Sequence, residues 1–233
     1  MKTIVANWKM NGTIDYIDKY FDVFLPRIKS NKAEVIFAVP YVFLEHVKKI
    51  TKNSNIKIFA QNCSHEENGA FTGEISASML SSMGIDGSII GHCEREKYGE
   101  NCEIVNKKAK SLFKYKLKPI ICIGEESENQ LEEQIKKRLY EIDHKEHIFL
   151  AYEPIWSVGK NNNLNLGRIE SFIKNIRNVI FKYDFRNIKV LYGGSVSKSN
   201  TSEILQNLNI DGVLVGRDSL DPINFSRIVN FLE

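Results

Sequence analysis

The sequence predicts an α/β fold, a closed (β/α)8 barrel that forms one domain over residues 1–233. Three observations support this prediction. Eight short apolar runs recur along the chain, amphipathic helical segments alternate with them, and no stretch rich in Gly, Ser or Pro divides the chain. Alternating strands and helices form parallel sheets with right-handed crossovers. Eight such units in roughly 250 residues match a closed barrel in number and size.

The predicted strands are continuous apolar runs, which is typical of parallel strands buried on both faces. They are Thr3–Ala6, Glu34–Val39, Ile56–Ala60, Ser88–Ile90, Pro119–Ile123, His147–Tyr152, Ile188–Tyr192 and Gly212–Val215. A doubly wound open sheet shows the same alternation. However, no G-x-G-x-x-G motif follows the first run, where a dinucleotide-binding fold requires it.

The helical segments are indicated by apolar residues three or four positions apart. Thr13 is expected to open the first helix and Ser127 a later one. Asp221-Pro222 begins the last, because proline is well tolerated in the first turn of a helix. The apolar stripes are predicted to contain Ile14, Ile17, Phe21 and Phe24, then Leu131, Ile135 and Leu139, and then Ile169, Phe172, Ile173, Ile176 and Ile180.

Composition argues against several classes of function. The net charge is only +3, from 32 basic and 29 acidic residues, which does not favour nucleic-acid binding. No apolar run approaches the roughly 20 residues of a membrane span, and the first residues lack the apolar core of a signal peptide. The four cysteines form no C-x-x-C pair, so the sequence predicts neither a metal site nor a disulfide framework. We expect a cytoplasmic protein.

Two short basic clusters are interpreted as solvated helix faces. One contains Lys107, Lys108 and Lys110, and the other is Lys136-Lys137-Arg138. The second cluster lies about one helical turn after Glu132 and Glu133, which predicts ion pairs between residues four apart.

Polar residues and glycines follow seven of the eight predicted strands, and barrel enzymes keep their active site at this carboxyl-terminal rim. They are Asn7 and Lys9, Gln61-Asn62, His92 with Glu94 and Arg95, Gly124-Glu125, Glu153, Gly193-Gly194-Ser195 and Gly216-Arg217. Each has a structural interpretation when taken alone, and Glu125 is expected only to brace the barrel. Together, a carboxylate, an imidazole and an ammonium group on one rim predict proton chemistry on an anionic substrate.

The glycine turns after the seventh and eighth strands predict a phosphate site. Glycine allows backbone N–H groups to approach a ligand closely. Loops at these two strands, with the N-terminus of a short following helix, commonly bind phosphate in barrels.

Several motifs occur together in an order that resembles the triosephosphate isomerase family over nearly the whole chain. They are N-W-K-M-N-G at 7–12, A-Q-N at 60–62, G-A-F-T-G-E at 69–74, G-H-C-E-R at 91–95, C-I-G-E at 122–125, Y-E-P-I-W at 152–156, Y-G-G-S-V at 192–196 and G-V-L-V-G at 212–216. The resemblance implies a glycolytic and gluconeogenic isomerase that interconverts dihydroxyacetone phosphate and glyceraldehyde 3-phosphate without a cofactor.

The resemblance also implies roles for single residues. Glu153 is expected to be the base, and a neutral His92 to polarise the substrate carbonyl. Lys9 supplies positive charge, Asn7 offers an amide donor, and Glu94 orients Lys9.

Further roles concern the substrate phosphate and a lid. The phosphate is expected to bind backbone N–H groups of Gly159, Ser195, Gly216 and Arg217. Pro154-Ile155-Trp156 would be the hinge of a lid with Gly159 near its tip, and Tyr192 and Ser195 would hold the lid closed. The G-A-F-T-G-E loop, with Thr72 reaching the partner's active site, implies a homodimer.

Four features depart from the family pattern. Cys93 stands where serine is usual, and Glu96 where arginine is expected. Arg217 replaces the second glycine of the phosphate turn, which requires a negative φ there. The lid sequence after Gly159 is K-N-N-N-L, Lys160 to Leu164, instead of T-G-K-T-A.

Two alternative functions remain open at the level of sequence. One is another phosphate-binding barrel, such as an epimerase or a different sugar-phosphate isomerase, which would not be expected to carry the set Lys9, His92 and Glu153. The other is a barrel that binds phosphorylated metabolites without turnover, as a sensor or scaffold.

Overall fold

Eight parallel strands close into one barrel in chain order, and the last strand pairs with the first. The computed structural model describes residues 1–29, 33–125, 127–143, 145–154 and 164–231. The strands are β1 (Lys2–Asn7), β2 (Ala33–Ala38), β3 (Lys57–Ala60), β4 (Gly87–Ile90), β5 (Lys118–Ile123), β6 (Ile148–Tyr152), β7 (Ile188–Tyr192) and β8 (Gly212–Val215). Each lies within one residue of its predicted bounds. The predicted barrel is confirmed, and the open doubly wound sheet is wrong.

Helices between the strands form the outer layer of the barrel. They are α1 (Ile14–Phe24), α2 (Leu44–Ile50), α3 (Ala77–Ser82), α4 (Cys93–Glu96), α5 (Cys102–Lys114), α6 (Glu128–Arg138), α7 (Leu166–Lys182), α8 (Thr201–Asn207) and α9 (Pro222–Val229). The three predicted starts are confirmed by capping contacts. The side chains of Thr13, Ser127 and Asp221 each accept a hydrogen bond from a backbone N–H of the first turn.

The buried side chains form two layers, because neighbouring residues of a strand point to opposite faces. On β1, Val5 points into the barrel, and Ile4 and Ala6 point outward to the helices. The interior layer is closed by large side chains such as Phe59 and Phe149, so the barrel is a packed core with its site at one end.

An aromatic cluster joins the first and last helices to the outside of the sheet. The ring of Phe225 on α9 lies 5.4 Å from that of Phe24 on α1 and 5.3 Å from that of Phe37 on β2, between ring centroids. All three side chains are fully buried. Because α9 packs against α1, this cluster completes the outer layer between the last helix and the first.

Two sequence interpretations were wrong in part. Ile14 is 48% exposed, because it is the first residue of α1 and lies beyond the packed stripe of Ile17, Phe21 and Phe24. In the basic clusters, Lys108 and Arg138 are buried, with only 5% and 2% of their surface exposed. The helix-face pairs Glu132–Lys136 and Glu133–Lys137 are confirmed at 3.1 and 2.8 Å. No helix in the described parts of the chain is long and apolar enough to cross a membrane.

Replacing Phe225 with alanine should lower the free energy of unfolding by about 3–5 kcal/mol, because it removes a buried aromatic ring from a closed cluster. The matched control is Phe181→Ala on α7, where the ring is 87% exposed and the change should stay within about 0.5 kcal/mol. Urea denaturation of both variants measures the difference. Equal losses in the two variants would show that the cluster does not stabilise the fold.

Candidate active site

Glu153 lies directly after β6 and is almost fully buried. Its backbone N–H donates to the carbonyl oxygen of Ile123 at the end of β5, at 2.8 Å, and only 3% of the residue is exposed. Glycines flank it on both neighbouring strand ends. A Cβ at Gly193 would lie 2.9 Å from Cγ of Glu153, and one at Gly124 would clash with its carbonyl oxygen. Gly193 therefore makes room for the side chain of Glu153, and Gly124 for its backbone.

His92 is placed by the turn after β4 and caps the short helix α4. Its Nδ1 accepts the backbone N–H of Glu94 at 3.2 Å. A nitrogen that accepts this bond carries no proton, so the proton of the neutral ring lies on Nε2. Nε2 is 3.1 Å from Oε1 of Glu153. The structure thus brings the predicted imidazole and the predicted carboxylate into direct contact.

Burial and the neighbouring carboxylate have opposite effects on the pKa of His92. Burial lowers the pKa of His92, but the Glu153 carboxylate beside Nε2 raises it, and the net pKa is about 10. The other carboxylate oxygen of Glu153, Oε2, is buried and has no hydrogen-bond partner among the described residues. The expected neutral histidine is therefore favoured by burial and by the Glu94 N–H, and opposed by Glu153 while the two side chains touch.

Lys9 and Asn7 form the next part of the site, at the end of β1. The side-chain Oδ1 of Asn7 accepts the backbone N–H of Lys9 at 3.1 Å. Lys9 has a φ of +51°, a left-handed conformation that is uncommon for a residue other than glycine. Its Nζ lies 2.6 Å from Oε1 of Glu94, so the predicted pairing of these residues is present. Both side chains are partly exposed, and the pair orients Lys9 more than it stabilises the fold.

A cavity of about 560 Å³ opens at this rim. The predicted site residues that line it are Asn7, Lys9, His92, Glu153, Ser195, Gly216 and Arg217. The backbone of Arg217 begins a 3-10 turn and has no positive φ, as its substitution for glycine requires. Its side chain is exposed.

The remaining predicted residues either do not line this cavity or fall outside the described parts of the chain. Gly159 and the other lid residues from 155 to 163 lie outside the described residues, so their roles stay predictions. Tyr192 is fully buried in the layer between strands and helices. Thr72 lies in an exposed turn. Glu125 accepts a hydrogen bond from Gln134 of α6 at 2.7 Å, which agrees with a bracing role.

Three aromatic residues that the sequence analysis did not connect with the site hold the turn after β8. Nε1 of Trp8 and the hydroxyl of Tyr20 donate to the carbonyl oxygen of Ser219, at 3.2 and 2.8 Å. The hydroxyl of Tyr16 donates to the carbonyl oxygen of Leu220. These bonds fix the turn that contains Gly216. The spacing of Tyr16 and Tyr20, one helical turn apart, places both on one face, but their distant partners could not be inferred from it.

One group of potential metal ligands occurs among the described residues. One ligand atom from each of His92, Cys93 and Glu153 lies within 4.8 Å of the others. Nδ1 of His92 is already occupied by the Glu94 N–H, and Nε2 faces Glu153. A metal ion would have to displace this contact. The arrangement present is therefore one of hydrogen-bonded groups suited to proton transfer.

The fold and site together define a class of protein. A buried carboxylate contacts an imidazole, an ammonium group faces the same cavity, and glycine turns after two neighbouring strands line it at the carboxyl rim of a parallel barrel. This combination is that of a (β/α)8-barrel enzyme which performs acid–base chemistry on a small anionic substrate.

Comparison with known proteins narrows this class to one family. The family model described as triosephosphate isomerase matches residues 2–232. Curated relatives named triosephosphate isomerase include those of Thermodesulfovibrio yellowstonii, 40% identical over 99% of both chains, and Clostridium tetani, 40% identical over 99% of this chain and 96% of the relative. That of Aquifex aeolicus is 35% identical over 98% of both. The chain belongs to the triosephosphate isomerase family.

Proposed function

We propose that the protein interconverts dihydroxyacetone phosphate and D-glyceraldehyde 3-phosphate by proton transfer through an enediolate, as a step of glycolysis and gluconeogenesis. The observation that carries this proposal is the contact of 3.1 Å between the buried carboxylate of Glu153 and Nε2 of His92. The reaction moves protons only, and the groups at the rim suffice for it. Membership of the family favours this substrate over those of other phosphate-binding barrels.

Glu153 is the base that removes the carbon-bound proton. A proton next to a carbonyl is weakly acidic, so the base must be out of water and close to the carbon. Glu153 meets the first requirement, because it is buried and its Oε2 has no donor among the described residues. When Glu153 turns from His92 toward the substrate carbon, this same carboxylate carries the proton between the two carbons.

His92 stabilises the negative charge that develops on the substrate oxygens. Departure of Glu153 toward the substrate removes the group that raises the pKa of His92. Burial and the Glu94 N–H at Nδ1 then favour the neutral ring, whose Nε2–H donates to the oxygen of the enediolate. Lys9 adds positive charge at the same side of the cavity and is oriented by Glu94. Asn7 fixes the backbone of Lys9 and offers an amide donor.

The phosphate group binds at the turns after β7 and β8, which line the same cavity. Its proposed ligands are the backbone N–H groups of Ser195, Gly216 and Arg217, all of which line the cavity. Gly159 of the lid is the fourth proposed ligand. Closure of the lid, supported by Tyr192, would keep water from the enediolate and prevent loss of its phosphate. Four free cysteines agree with a cytoplasmic location, which we also propose.

The purified protein should isomerise glyceraldehyde 3-phosphate, detected by coupling dihydroxyacetone phosphate to a dehydrogenase. Glu153→Asp withdraws the base by one methylene and should lower kcat at least about 10²-fold, since a misplacement of ~1 Å has an effect of this size. Glu153→Gln should be less active still. Phe181→Ala, far from the rim, is the matched control. Near-normal turnover in Glu153→Asp would contradict the assignment, and an inactive wild type would favour a binding protein.

We also propose a homodimer, supported by exposed apolar side chains in the loops after neighbouring strands. Met10 follows β1, Val42 follows β2, and Phe71 and Met79 follow β3, with exposed fractions from 46% to 96%. Such a group of side chains marks an interaction surface. Thr72 lies beside Phe71 in the same exposed turn, and in the proposed dimer it reaches toward the partner's Asn7.

Sedimentation equilibrium should show a dimer at micromolar concentration. Phe71→Asp should raise the dissociation constant at least about tenfold and reduce activity in parallel, because it buries an unpaired charge in the interface. Phe181→Asp, at an exposed site outside this surface, should leave the dissociation constant unchanged. A fully active wild-type monomer at this concentration would overturn the dimer.

A further inference from the structure

Arg138, the last residue of α6, is a buried arginine to which the proposed chemistry assigns no role. Only 2% of it is exposed. Its Nη1 donates to the carbonyl oxygens of Gly91, at 3.0 Å, and Cys122, and its Nη2 lies 3.3 Å from Oε1 of Glu96. A buried guanidinium is costly unless its donors are met. Nη1 and Nη2 of Arg138 therefore bind the ends of β4 and β5 and Glu96, while its buried Nε has no hydrogen-bond partner among the described residues.

The carbonyl oxygen of Gly91 belongs to the peptide group that leads into His92. The N–H of Gly91 is held as well, since it donates to Oε1 of Glu100 at 2.7 Å. Glu100 is in turn paired with the buried Lys108. Both polar groups of the Gly91 backbone are therefore bound by buried charged side chains. Arg138 and Lys108, the cation that pairs with Glu100, belong to the two basic clusters that the sequence analysis interpreted as solvated.

The conformation of Gly91 shows how tightly this turn is defined. Its φ is +70°, which favours glycine, and a Cβ here would lie 2.8 Å from Nη1 of Arg138 and 3.1 Å from Val105. The close approach of Arg138 is thus built into the turn. Arg138 itself does not line the cavity, so it acts on the reaction only through the backbone.

We propose that Arg138 is a positioning residue: its guanidinium orients the Gly91–His92 peptide and so sets the place of the His92 imidazole against Glu153. The proposal rests on the proposed isomerase function. The planar guanidinium suits this role, because it donates to two carbonyl oxygens and one carboxylate in fixed directions. A lysine has the charge but only one nitrogen from which to donate.

Arg138→Lys should lower kcat about tenfold or more and leave KM within about twofold. The phosphate turns follow β7 and β8, which are not neighbours of β4 in the barrel, and a small shift of His92 affects the chemical step. The matched control is Lys137→Met on the same helix, whose side chain is 59% exposed. It should leave both constants unchanged. A kcat for Arg138→Lys within twofold of wild type would overturn the proposal, even if its melting temperature falls.

A second readout does not depend on activity. The ¹⁵N signals of the His92 imidazole, in protein with labelled histidine, should shift in Arg138→Lys and stay unchanged in Lys137→Met. Unshifted signals together with a lowered kcat would overturn the proposal, because Arg138 would then act by another route. If the wild type lacks isomerase activity, the proposed function fails, and these signals still test whether Arg138 positions His92.

A double variant covers the case in which Arg138→Lys does not fold. Glu96 reaches within 3.3 Å of the guanidinium from the other side. Glu96→Arg with Arg138→Met should therefore return a guanidinium to the same place. Its kcat should exceed that of Arg138→Met at least about tenfold, or the double variant should fold where the single variant does not. A folded double variant without recovery of kcat or of the His92 signals would overturn the proposal.

Discussion

The contact between Nε2 of His92 and the carboxylate of Glu153 is the interaction on which the rest of the site depends. The two residues come from β4 and β6, and β5 lies between them, so the barrel must close with the right curvature before they can meet. Gly193 and Gly124 leave space for Glu153, and the backbone of Gly91 turns His92 toward it. Lys9 follows β1, which pairs with β8 to close the barrel. It therefore completes the site only when all eight strands are paired.

This contact also sets the charges of the site. In water, neither an imidazole nor a carboxylate has a strong influence on a neighbour at this distance, but both residues are buried, and the interaction is correspondingly stronger. In the proposed mechanism, the group that faces His92 is first Glu153 and then the substrate oxygens. The pKa of His92 therefore depends on where Glu153 points. A carboxylate that moves can serve as the base and, by leaving, restore the neutral imidazole that donates to the enediolate.

Much of the fold and of the site could be predicted from the sequence. The features that could not be predicted depend on contacts between distant parts of the chain. Strand bounds were accurate because buried parallel strands are continuous apolar runs. Seven of the predicted site residues line one cavity because they stand where those runs end. The burial of Arg138 and Lys108 was missed, since their partners include groups far away in the chain, Gly91 for Arg138 and Asn62 for Lys108, and local sequence shows only a basic helix segment. The left-handed backbone of Lys9 was missed for a related reason: tertiary contacts of β1 impose it against local preference.

The most direct test of the dependence of His92 on Glu153 is an NMR titration of the His92 imidazole in the wild type and in Glu153→Gln. Glutamine keeps the shape of the side chain and removes its charge, so burial, the Glu94 N–H and the Cys93 thiol remain as influences on His92. The pKa of His92 should be raised in the wild type, to about 10, and should be lower in the variant by more than about one unit. The same pKa in both proteins would contradict the account, because the pKa of His92 would then not depend on the Glu153 carboxylate.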